Sequence, residues 1–235
     1  TAHGNAIRRA AEVLCTSGHL AGLVSQAYNR ATRVWPLPVE LPEGFEPTSS
    51  SYRKHLVMDA HVSPSGVRLF LDIVRRMPEA PFLITGLNTE YPGLEEMEEI
   101  PNLTITPSLP INRGPSLNHL STARLYIAPS EWPDPDGYTA LQAMACGIPV
   151  IVPSLGAYPE AVGEAGLIIR QPHDPIAWVE QIFTLLHSRS LYDHFMEQGQ
   201  TRARKLSLES QAAKLRTVLE MVVARAEAEN VMSNK

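Results

Sequence analysis

The sequence predicts an α/β fold built on a doubly wound parallel sheet. Apolar segments alternate with segments of helical periodicity along most of the chain, and the apolar segments are continuous runs with no polar residue at every second place. Glycine, proline and acidic residues punctuate the joins. A strand that is apolar at every position has both faces buried, which is the situation of a parallel strand between two helical layers. With 235 residues and 44% hydrophobic content, the chain can bury such a core.

In order along the chain, residues 5–13 read as a helix and 13–16 as a short strand, and Ser17 is placed to cap a second helix. Residues 33–38 form another short strand. Residues 39–51 are rich in Pro, Gly, Glu and Ser and mark a linker, so a domain boundary is expected near residue 45. His55 to Ala60 is a buried type of strand, and Gly66 to Met77 a helix with Val67, Phe70, Leu71 and Val74 on one face. A strand over 81–85 is ended by Gly86, a weaker one covers 103–106, and 115–121 form a short helix. Gly166 to Ile169 is the last strand, and Asp174 introduces a helix over 175–186. Residues 191–228 read as helical, with a break near Gly199 and a restart near Ser207. The expected units are therefore 1–45, 46–190 and 191–235.

The stretch Leu125 to Pro153 organises the rest. It reads as a strand, an acidic Pro/Gly bend, a helix of little more than two turns, and a second strand. Asp136 can offer its carboxylate to the free amides of the first helical turn, and Gly147 can take the left-handed conformation that ends the helix. In such a crossover the helix start points its unpaired N–H groups at the carboxyl end of the sheet, where anions collect, and the bare Cα of Gly137 lets a phosphate come close.

The net charge of −5, with no run of Lys or Arg longer than two, leaves no footprint for nucleic acid or an anionic membrane. No apolar run approaches the roughly twenty residues needed to span a bilayer. Cys15 and Cys146 lie far apart in apolar contexts, which fits a reducing, cytoplasmic location. The eight histidines show no ligand spacing with Cys or carboxylates, so no metal is expected. The acidic run Glu95 to Glu99 reads as a solvated face. A first residue other than Met points to a processed, truncated or excised chain.

Residues 55–225 resemble the carboxyl-terminal, nucleotide-sugar-binding domain of retaining glycosyltransferases of the GT-B fold, the group 1 or family 4 type. Ala128-Pro-Ser130, Gly137, Leu141-Gln-Ala-Met-Ala-Cys-Gly-Ile-Pro-Val-Ile-Val152, Ser154-Leu-Gly-Ala-Tyr-Pro-Glu160, Gly166-Leu-Ile-Ile169 and Asp174 carry the resemblance. It implies a Rossmann-like donor domain. The first 45 residues are similar to the end of the acceptor domain, and the helical C-terminal tail to the segment that returns toward it.

The resemblance also implies roles. The family's two Glu residues, eight positions apart, align with Asp134, for donor-sugar hydroxyls, and Gln142, for the ribose diol. The amides of Gly137, Tyr138 and Thr139 are expected to face the diphosphate. Glu160 is expected to fix the loop near the sugar, or else to be a first-turn carboxylate favoured by the helix dipole. The family's Arg and Lys in the loop after the first strand, which neutralise the leaving diphosphate, align with Ala60 and Ser65. His61, Arg53, Lys54 or Arg68 could stand in for them, while His61 could equally be a loop histidine without a role. Trp132 and Tyr138 flank the bend and could stack on a sugar or base, or simply pack.

The expected activity is transfer of a sugar from a nucleotide diphosphate sugar to an acceptor hydroxyl, with no cofactor. The acceptor subsite would come from another domain or polypeptide, so the 235 residues alone are not expected to turn over. The competing expectation is a non-catalytic relative kept as a binding or scaffold module. An epimerase or phosphorylase on the same fold is a further enzymatic alternative.

Overall fold

The structure, a computed structural model, describes residues 2–40, 53–60, 64–88, 90–107 and 118–233. The first described segment holds α1 (Ala2–Arg9), β1 (Leu14–Cys15), α2 (Gly18–Tyr28) and β2 (Arg33–Val34). The first helix ends four residues earlier than expected, because the chain there extends toward β2. The Val13 carbonyl accepts from the Arg33 amide at 2.8 Å, and Glu12 pairs with the Arg33 guanidinium at 3.2 Å. β1 and β2 pair in parallel as a two-stranded sheet. Ser17 caps α2 as expected, its Oγ accepting from the Leu20 amide at 3.0 Å. The boundary expected near residue 45 lies outside the described residues.

The second sheet is built from β3 (His55–Asp59), α3 (Val67–Arg76), β4 (Phe82–Leu87), α4 (Leu94–Glu98), β5 (Leu103–Pro107), α5 (Asn118–Ser121), β6 (Ala123–Ile127), α6 (Tyr138–Ala145), β7 (Val150–Pro153), α7 (Tyr158–Val162) and β8 (Leu167–Ile169). The six strands are all parallel, in the order β5-β4-β3-β6-β7-β8. The continuous apolar runs have the predicted consequence, because alternate residues of one strand enter two different cores. Leu56 and Met58 of β3, Leu125 and Ile127 of β6, and Ile151 of β7 pack with α3 on one face. Val57, Tyr126, Val150 and Val152 pack with α6 and α7 on the other. The apolar face of α3 is wider than the four residues expected, since Leu69 and Ile73 are buried as well.

Three helices close the described chain: α8 (Pro175–His187), α9 (Arg189–Arg204) and α10 (Leu208–Ser233). Asp174 caps α8, accepting from the Ile176 amide at 2.9 Å. The break expected near Gly199 is absent. Gly199 lies inside α9, and the chain turns instead at residues 205–207. A glycine in a helical pattern signals a break when backbone freedom is its use; here its use is close approach, as an added Cβ would stand 3.2 Å from Met144 Cγ of α6. The acidic run falls in α4, its glutamates exposed and Met97 buried beneath them. Among the described residues no helix is long and apolar enough to cross a membrane.

Candidate functional site at the strand-order reversal

The order of the strands places the site. Connections from β3 lead outward to β4 and β5, and those from β6 lead the opposite way to β7 and β8, so the order reverses between β3 and β6. At such a reversal the loops leaving the two strands diverge and leave a crevice at the carboxyl edge. The two loops touch at its floor. Gly66, in the 3-10 turn Pro64–Gly66 that leads into α3, sits so close to the β6 exit that an added Cβ would lie 2.1 Å from the Pro129 carbonyl oxygen. Only glycine fits there.

Above that contact the β6–α6 bend is tied together by its own carboxylates. Asp134 is 6% exposed. Its Oδ1 accepts from the Asp136 amide at 3.0 Å and also from the Gly137 amide. Its carbonyl accepts from the Ala157 amide at 2.8 Å, and its carboxylate meets the Tyr158 hydroxyl. Asp136 Oδ1 accepts from the Tyr138 amide at 3.1 Å. These are nested Asx turns, in which a short carboxylate satisfies orphan amides at the start of a helix. The Asp136 carboxyl is held above its ordinary range, mainly by burial, with the Tyr138 amide working against that.

Asp136 meets the first turn as expected, but the amides there are consequently not bare. Gly137 and Tyr138 already donate to Asp134 and Asp136, and the open side of Gly137 faces α7. An added Cβ would meet Ala161 Cβ at 2.6 Å, and φ is +66°. Close packing against α7 and a left-handed turn each by themselves require glycine at 137. Thr139 is buried in the first turn, hydrogen-bonded to the Tyr126 hydroxyl. Burial pushes the Tyr126 and Tyr158 phenols well up, and the Asp59 and Asp134 carboxylates reinforce this. The bend is therefore an acidic, hydrogen-bonded frame. Gly156, at φ +57°, closes it from below, since an added Cβ there would lie 2.4 Å from the Asp134 carbonyl oxygen.

The remaining candidates are spread around this frame. Gln142 lies one turn into α6 and is 7% exposed. Ala60, at the expected Arg position, is buried, and Ser65, at the Lys position, is half-buried and partnered. His61 falls outside the described residues. Arg53 and Lys54 precede β3 and so lie at the opposite edge of the sheet. Arg53 serves α6 instead, donating to the Gly147 carbonyl at 2.7 Å and the Cys146 carbonyl at 2.9 Å. Arg68, in the first turn of α3, and Arg170, after β8, are exposed cations at the carboxyl edge of the sheet. Trp132 stands on the rim, 69% exposed, fixed by Ser130, whose hydroxyl donates to the Trp132 carbonyl at 2.9 Å. Among the described residues no group of three His, Cys, Asp or Glu side chains is placed to hold a metal.

The Glu160 carboxylate meets the first described segment. Both its carboxylate oxygens accept from the Gly18 amide at 2.8 Å, and Oε2 also accepts from the His19 amide at 3.3 Å. Sequence reasoning missed this contact and the Tyr158–Asp134 bond. The first spans 142 positions, so no local spacing signals it.

The family model for glycosyl transferases group 1 matches residues 53–188, more than half of the chain. The chain belongs to the group 1 glycosyltransferase family. Among curated relatives, the O-antigen chain mannosyltransferase B of Escherichia coli is 32% identical over 90 residues, or 38% of this chain and 23% of that protein. The D-inositol 3-phosphate glycosyltransferase of Salinispora tropica is 31% identical over 100 residues, 42% of this chain and 21% of the relative. The matched part thus spans less than a quarter of either relative. Among solved structures, sucrose-phosphate synthase from Thermosynechococcus elongatus aligns with a TM-score of 0.77 at 20% identity, over 95% of this chain and 61% of that one. HepE of Anabaena, solved with UDP-glucose, aligns with a TM-score of 0.73 at 18% identity, over 92% of this chain and 65% of its own. These glycosyltransferase neighbours share the α/β architecture, with a parallel sheet flanked by helices.

Proposed function

We propose that this chain is the donor-binding part of a retaining glycosyltransferase, taking a nucleotide diphosphate sugar into the crevice between β3 and β6. The observation that carries the proposal is the place of the β6–α6 bend. It sits where the strand order reverses, the position at which doubly wound sheets take up nucleotides, in a chain of the group 1 family. In this reading Gln142 meets the ribose diol with one acceptor and two donors. The start of α6, at Tyr138 and Thr139, faces the diphosphate once its oxygens replace the Asp136 carboxylate, and Asp134 faces the sugar. Acceptor binding falls to residues outside this chain.

The chemistry asks for no protein nucleophile. The bond from the anomeric carbon to the diphosphate breaks, the acceptor oxygen bonds to that carbon on the same face, and the departing phosphate oxygen takes the acceptor proton. Negative charge on the leaving diphosphate is then what the protein must stabilise, and preorganised donors for such charge contribute several kcal/mol, of order 3 each. With Ala60 and Ser65 at the family's cation positions, that load falls on Arg68 and Arg170 at the edge and on His61.

One observation favours the scaffold reading: the bend satisfies its own amides, through Asp134 and Asp136. Calorimetric titration of the chain with UDP, GDP and their sugars separates the two readings. At least one ligand is expected to bind, and Gln142→Met to weaken it roughly tenfold, the value of one to two hydrogen bonds, with an unchanged melting temperature. Flat titrations with every ligand leave the chain a scaffold.

A further inference from the structure

We propose that Glu160 is a positioning residue: it clasps α2 to the donor-side frame and so sets the shape of the β6–α6 bend without touching the donor. The first turn of α2 is unfinished by its own side chains, since Ser17 caps only the Leu20 amide. Glu160, 142 positions away in sequence, completes it, both oxygens on the Gly18 amide and one on the His19 amide. A carboxylate there satisfies orphan donors and meets the positive end of the helix dipole. The fit is close, as an added Cβ on Gly18 would stand 3.0 Å from Glu160 Oε2.

The same junction reaches the bend directly. The Ser17 hydroxyl donates to the Pro135 carbonyl, between Asp134 and Asp136. The Tyr138 hydroxyl, at the first residue of α6, donates to the Pro38 carbonyl at 3.2 Å. From behind, Arg202 of α9 donates to the carbonyls of Glu160 and Ala161, which fixes the short α7 that carries the carboxylate. Glu160 is thus braced by α9 and bound to α2, and α2 is bound through Ser17 to the bend. Displacing the carboxylate frees both ends of that connection.

Hydrogen exchange on the full chain tests the clasp without any ligand. Glu160→Gln removes the charge and turns one of the two accepting oxygens into a donor facing the amides, so exchange at Gly18 and His19 should speed roughly tenfold to a hundredfold, and exchange over residues 134–139 should rise with it. Glu160→Asp keeps the charge one methylene short and should restore part of the protection. Unchanged exchange at Gly18 and His19 overturns the proposal, as does faster exchange there with residues 134–139 unaffected. A UDP titration of the same variants adds the link to the donor site, on which this part of the inference rests. UDP affinity falling in Gln and partly recovering in Asp, in step with exchange, supports positioning. Lost affinity with unchanged exchange makes Glu160 a direct ligand, whereas no UDP binding by the parent chain refutes the proposed function and leaves the exchange result standing.

Discussion

At the carboxyl end of α6, Cys146 shows how burial sets chemistry. Cys146 is fully buried, and burial pushes its thiol up to about 12, against the pull of the Arg53 guanidinium. The folded protein therefore holds this proton where the unfolded chain, with a thiol near 9, has released it. A raised value contributes stability that is complete below about pH 9 and is lost between there and about pH 12, at up to about 1.4 kcal/mol per pH unit. Urea midpoints at pH 8, 9 and 10 should fall with a slope that begins near pH 9, and Cys146→Ala should flatten that onset. Equal slopes for the two proteins would contradict it. Residue-level features that depend on near neighbours are legible in the sequence: the Ser17 and Asp174 caps, and the left-handed Gly147. Arg53 and Glu160 are not, because each serves a helix end more than ninety positions away.

Among the elements, α9 is the one whose sequence misleads. Its glycine reads as a break, yet it is the place where α9 lies against Met144 of α6, under the helix that leads away from the bend. Gly199→Ala gains up to about 1 kcal/mol of helix propensity against a tight contact and should be near neutral. Gly199→Leu should destabilise by about 1–3 kcal/mol through overpacking, seen as a lower urea midpoint. A tolerated Leu would mean that the two helices do not meet there. The strands were easier to place. A run such as Leu56-Val-Met58 needs two apolar layers whatever its neighbours do, and it received them. By contrast, the apolar pattern extends β1 and β2 beyond what forms, since only two strands pair and Leu14 and Val34 remain 36% and 42% exposed.

For the molecule as a whole, the alternation of elements was enough to fix a parallel sheet, and the run Leu141 to Val152 was enough to point to the family. The strand order was not written in any one segment. It follows from how the crossovers pack, and it is what places the bend of Asp134 and Gly137 opposite Gly66. Half of the bend's self-satisfied state was legible, since Asp136 caps the first helical turn as expected; that Asp134, read as a ligand for the sugar, also accepts from the amides of the bend was not. The central claim is that this crevice holds a nucleotide diphosphate. Backbone amide chemical-shift mapping during a UDP titration tests it most directly. The account predicts shifts concentrated at residues 64–68 and 136–142, on the two loops that leave β3 and β6. Shifts confined to the opposite edge of the sheet, around Arg53 and Gly147, or no shifts at millimolar UDP, would contradict it.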